Sequence, residues 1–145
     1  MQTIRMILAG LAMLCMSMAA LGPAHAWDEV NGAYAAWDEA FNKGDAKAVA
    51  SFYAEDAVFL PATHDVIEGP AGVEKFFAGL FDMGVTGHKL ELIETHGEGD
   101  IVVAAAKWSA TGKDASGADQ PWGGVATHVF ARQPDGSLKL SFGGR

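Results

Sequence analysis

The chain is short of cysteine: the single one, Cys15, falls within the first 26 residues. The remainder can form no internal disulfide and offers no thiolate nucleophile or cysteine metal ligand. Positive charge is also scarce, with 10 Lys and Arg against 18 Asp and Glu and a net charge of −8. A surface of that sign repels nucleic acid and anionic membrane, so neither is expected as a partner. There is no H-x-H or H-x-x-x-H pattern and no glycine-rich dinucleotide loop, so no metal and no cofactor is expected. Charge of either sign is missing from Met6 to Leu21. That stretch follows Arg5 and precedes Ala24-His25-Ala26, a small-x-small cleavage site. The pattern is that of a secretory signal peptide over residues 1–26, cut before Trp27. The uncharged stretch is short for a membrane span. The expected product is exported, periplasmic or extracellular, with no membrane attachment after cleavage. Removing 26 of 145 residues leaves 119, enough for one domain at 27–145. Removing Arg5 leaves 9 basic and 18 acidic residues, a charge of −9.

What is present is two kinds of periodicity. From Asp28 to Lys43, Val30, Tyr34, Trp37 and Phe41 recur at spacings of 4, 3 and 4, one face of a helix. Gly44 can close that helix in the left-handed conformation, and Asp45 can cap the next. A second helix is expected over Ala46–Tyr53, and a short hairpin over Ala57–Leu60 and Val66-Ile67. Gly69-Pro70 opens a third helix whose apolar face is Val73, Phe76, Phe77, Leu80 and Phe81. Beyond Thr86 the period changes. Strands are expected over Lys89–Thr95, Ile101–Thr111, Trp122–Arg132 and Ser137–Phe142, joined by turn chemistries at Gly97, Gly99-Asp100 and Pro134-Asp135-Gly136. Lys113 to Gln120 reads as a long, polar, mobile loop. Helices first and long antiparallel strands after give an α+β fold, with a curved antiparallel sheet and the helices on one face.

Trp37, Ala40-Phe41-Asn42, Gly44-Asp45, Tyr53, Asp56-Ala57-Val58 and Pro61, followed by Glu68-Gly69-Pro70, resemble the nuclear transport factor 2-like superfamily. Within it the chain is most similar to the small SnoaL-like proteins, including the SgcJ/EcaC type. Ala131-Arg132-Gln133-Pro134-Asp135-Gly136-Ser137 fits as well, so the resemblance spans the whole of 27–145. It implies a cone-shaped roll with three helices on the concave face of the sheet and a pocket between them. It also implies a homodimer through the outer sheet face. The family pattern commonly runs a few residues past the last strand, whereas this chain ends at Gly143-Gly144-Arg145.

Superfamily members include isomerases, cyclases, hydrolases and proteins that only bind. The steroid isomerases of the superfamily need a carboxylate base and two proton donors. Aligned through the Asn-x-Gly-Asp motif, those three places fall on Pro61, Trp37 and Thr127. Proline supplies neither base nor donor, so that chemistry does not carry over. The favoured expectation is a hydrophobic pocket, lined by Trp37, Phe41, Tyr53, Phe59, Pro61, Trp108 and Thr127, that takes a small apolar or weakly polar molecule. Ala104, Ala106 and Ala110 share the face of Trp108 and would leave room before the sheet. Two alternatives remain. One is an isomerase, cyclase or hydrolase using His64 or Asp65 as base. The other is a dimeric interaction module without a ligand. If Thr127 faces the pocket, His128 faces the opposite side with Ala126 and Phe130, which favours an interface residue over a catalytic one, and a slip of one residue would reverse that assignment. His88 and His96 share parity but lie eight residues apart, roughly 26 Å along a strand, too far to grip one metal.

Overall fold

The computed structural model describes residues 23–97 and 99–144. The chain runs α1 (Pro23–Asn42), α2 (Ala46–Ala50), β1 (Tyr53–Leu60), β2 (Ile67–Glu68), α3 (Gly69–Asp82), β3 (Thr86–His96), β4 (Ile101–Lys113), β5 (Asp119–Arg132) and β6 (Leu138–Gly144). Of the expected signal peptide, residues 1–22 lie outside the described residues. Helix α1 buries Val30, Tyr34, Trp37 and Phe41, the face its spacing predicts. It closes at Gly44, whose φ of 70° is the left-handed conformation that a side chain would disfavour. Asp45 then caps α2, its carboxylate accepting the Ala48 N–H at 2.9 Å.

Helix α2 is shorter than its apolar pattern suggests, ending at Ala50. Tyr53, expected at the end of that helix, instead begins β1 and pairs in parallel with Leu140 of β6. The physical reason lies at the far end of the chain. The Leu140 N–H donates to the Phe52 carbonyl at 2.8 Å, and this long-range bond draws the backbone out of the helix. The sheet has six strands in the order β2-β1-β6-β5-β4-β3. The β1–β6 pair is parallel and the rest are antiparallel, a correction to the all-antiparallel expectation. Register shifts in β1, β3 and β6 bend the sheet around the helices without closing it. The 113–120 segment is a tight turn rather than a long loop. Asp114 Oδ1 accepts from Ser116 N (2.8 Å), Ser116 Oγ (2.6 Å) and Ala118 N (3.0 Å), and Lys113 pairs with Asp119.

Phe77 of α3 is the hub of the core, at 0% exposure. Its ring meets those of Trp37, Phe41, Phe59 and Phe76 at centroid distances of 5.2, 5.9, 5.6 and 5.2 Å. Strand β3 is an edge strand, with β4 as its one neighbour in the sheet. Its inner backbone is covered by side chains of α1. Asn42 accepts the His88 N–H at 2.8 Å and donates to the His88 carbonyl at 2.9 Å. One helical turn earlier, Asp38 Oδ2 accepts the Leu90 N–H at 2.8 Å. The helix thus stands in for a missing strand and keeps the edge from pairing elsewhere.

Candidate functional site

A cavity of about 610 Å³ opens at one end of the roll. Phe41 of α1, Phe59 and Pro61 of β1 and the turn after it, and Phe76, Leu80 and Met83 around the end of α3 form one side. Val85, His88 of β3, Trp108 and Ala110 of β4, and Pro121 and Trp122 of β5 form the other. Room for Trp122 is made by Gly112, where a Cβ would lie 2.0 Å from the indole. Apart from the two indoles, the polar side chains of the lining are those of Thr63 and His88.

His88 is the one titratable side chain of that wall. It is buried at 3% exposure, and its Nδ1 stands 2.7 Å from Oδ1 of Asp38. The other carboxylate oxygen is the one fixed by the Leu90 N–H. The imidazole lies parallel to Trp108, with 6° between planes and 6.1 Å between centroids. Trp37 and Phe41 close on it at 4.7 and 4.8 Å. The arrangement is a histidine held by a carboxylate and packed among aromatic rings at the wall of an apolar space. Among the described residues, no three His, Cys, Asp or Glu side chains gather where they could hold a metal ion.

A second polar pair sits deeper. The Tyr34 hydroxyl is 2.7 Å from His128 Nδ1, and burial raises the phenol well above its usual pKa, so it keeps its proton and donates. The space beside this pair is about 10 Å³, no more than one water sphere. Tyr34 and His128 therefore form a packed core contact.

A model of the SnoaL-like domain matches residues 34–139. The chain belongs to the SnoaL-like domain family. Solved structures share its fold. A ketosteroid isomerase-like protein from Erwinia carotovora atroseptica is 19% identical with a TM-score of 0.71, covering 81% of this chain and 92% of that one. An NTF2-like protein with a cystatin-like fold from Novosphingobium aromaticivorans is 19% identical with a TM-score of 0.69, covering 83% and 80%. A putative aromatic ring hydroxylase from the same organism is 22% identical with a TM-score of 0.70, covering 85% and 89%. No curated protein matches the chain in sequence.

In this SnoaL-like domain the residues singled out from the sequence part company. Phe41, Phe59, Pro61 and Trp108 border the large cavity. Trp37 and Tyr53 are buried beside the small void instead. Thr127 is exposed on the outer face, in a shallow depression with Leu60, Val125 and Phe142. The inward residue is His128, against the expectation that placed it outside. In β5 the buried positions are Ala126, His128 and Phe130, so the register is one residue off from the aligned one. His64 and Asp65 are exposed in the turn after Pro61. Asp65 accepts from the Thr63 hydroxyl at 2.9 Å. Sequence reasoning weighed His88 only as a metal ligand and passed over Asp38. A signal was present: His88, Leu90 and Leu92 alternate with Lys89 and Glu91, which puts the imidazole on the apolar side of the strand.

Proposed function

We propose that this SnoaL-like protein is exported and binds a small, largely apolar molecule in the 610 Å³ cavity. The observation that carries the reading is the cavity's size together with its lining. Its volume falls within the range of about 300–1,000 Å³ usual for small-molecule sites, and apolar and aromatic side chains dominate its wall with few polar groups among them. The ketosteroid isomerase-like and aromatic ring hydroxylase neighbours share the architecture and fit a role in handling ring compounds. Export is supported by Arg5, the uncharged Met6–Leu21 stretch and Ala24-His25-Ala26.

The test is native mass spectrometry of the 27–145 chain purified from its exported compartment. The wild type should retain a small molecule or take up an apolar dye. Ala110→Phe, which fills the cavity from β4, should abolish both while keeping the far-ultraviolet circular dichroism spectrum. A wild-type protein that neither retains a molecule nor binds the dye overturns the reading. We further propose a homodimer through the outer face of β5 and β6, supported by the exposed apolar side chains Val125 and Phe142 on that face.

A further inference from the structure

We infer that the molecule bound here carries an unbranched, uncharged aliphatic chain, which leaves the cavity over Leu80 and Met83 and lies in a groove between α3 and the β1–β2 connection. The inference rests on the cavity being a binding site and adds the class of its ligand, a ring head with an alkyl tail.

The groove holds about 600 Å³, close to the volume of the cavity. Val66 and Ile67 form one bank, and the outer stripe of α3 forms the other. Phe76, Leu80 and Met83 line both spaces. What stands between cavity and groove is therefore side chain. Met83, at 57% exposure, has an unbranched thioether that can swing aside for a chain. Eleven residues separate Gly72 from Met83, which gives the groove a floor of about 16 Å along the helix.

The floor is bare where a helix would ordinarily carry side chains. At Gly72 the room is taken by Ile67, whose Cγ2 would lie 3.0 Å from an added Cβ. At Gly79 nothing lies within 4 Å. Glycine inside a helix is less stable than alanine, and Gly79 has no positive φ to require it. What it leaves is an open trough. Val66, 64% exposed, joins Ile67, Phe76, Leu80 and Met83 in a contiguous apolar strip beside that trough, the kind of surface that marks a binding groove. A peptide strand is a poor occupant, because β2 has two residues and too short an edge for strand addition. An alkyl chain needs no backbone partner. The charged side chains of the groove, Asp65, Glu68 and Lys75, are all exposed and of both signs, so they favour no ion along its length.

The probes are 6-acyl-2-(dimethylamino)naphthalenes with acetyl, butanoyl and octanoyl chains, whose emission moves to the blue in apolar surroundings. Dissociation constants are measured from that shift on the 27–145 chain, below the concentration at which the octanoyl probe aggregates. On the wild type each added methylene should tighten binding about twofold, less than full burial gives because the groove is open on one side. Gly79→Trp fills the trough from an exposed helical position with open space around it, and should bring the octanoyl and acetyl probes to about equal affinity. Val66→Asp makes the same test from the other bank by placing a charge beside the chain. Equal wild-type binding of the three probes overturns the inference and leaves the cavity reading standing. A gain with chain length that survives both variants overturns it as well, because the chain then lies elsewhere. If no probe binds, both readings fall. A wild type blind to chain length, whose mass in sedimentation drops on Val66→Asp, would assign the groove to a second copy of the chain instead.

Discussion

Phe77 shows how a single side chain carries the core. It is closed to solvent and touches four other aromatic rings drawn from α1, β1 and α3. Truncation removes the burial of a large apolar group and leaves a hole that rigid neighbours cannot collapse into. Phe77→Ala should therefore lower the unfolding free energy by about 3–5 kcal/mol, measured by urea denaturation. That role was readable in the sequence, because Val73, Phe76, Phe77, Leu80 and Phe81 fall on one helical stripe. The polar residues of the site were not readable in the same way. Asp38 sits beside Trp37 on α1 and looks like part of a solvated acidic face. What makes it an inner residue is the β3 edge lying alongside the helix, 50 residues on in the chain. His64-Asp65 shows the converse: adjacent in sequence, they lie in an exposed bend that serves Thr63 and Asp65 instead.

At the scale of elements, helices with a full apolar stripe were legible, and those decided by partners elsewhere were not. Tyr53 belongs to a strand because β6 arrives beside it, a pairing no local pattern announces. The β4–β5 hairpin is longer than its composition suggests because Asp114 organises the turn with three hydrogen bonds. Another tie between distant elements lends itself to titration. Arg132 of β5 meets Glu29 of α1 through two parallel bonds of 2.8 Å, and also donates to the Gly99 and Gly136 carbonyls. The guanidinium holds the Glu29 carboxyl below its usual value of 4.5. A lowered folded-state pKa adds stability that is present above 4.5 and is lost as the pH falls through the folded value. Glu29→Gln should therefore destabilise at neutral pH and match the wild type well below pH 4.5, in paired urea titrations. The difference should be small, because both side chains keep partial contact with water. A gap unchanged at low pH would mean that the pair does not stabilise through charge.

For the molecule as a whole, the order of helices and strands in the sequence was enough for an α+β roll, and the family motif specified the SnoaL-like domain. The face of β5 was the part that failed. Alignment set Thr127 inward, whereas the burial of Ala126, His128 and Phe130 sets it outward, and a slip of one residue exchanges the two faces of a strand. This register determines which side chains the outer face offers to the proposed second copy. Val125 is 67% exposed and Phe142 43%, and Thr127 lies between them in a shallow depression reaching Pro61. Across the sheet, Val58, Phe142, Val129 and Val103 form one outward row from β1 to β4, each paired with the next. Such a row is apolar where a monomer's surface would ordinarily be charged. If two copies join there, a lysine at the centre must be desolvated twice across the symmetry axis. Val125→Lys should then convert a dimer into a monomer in sedimentation equilibrium at micromolar concentration, while leaving probe uptake by the cavity on the opposite face of the sheet unchanged. A wild-type protein already monomeric at that concentration would remove the dimer proposal.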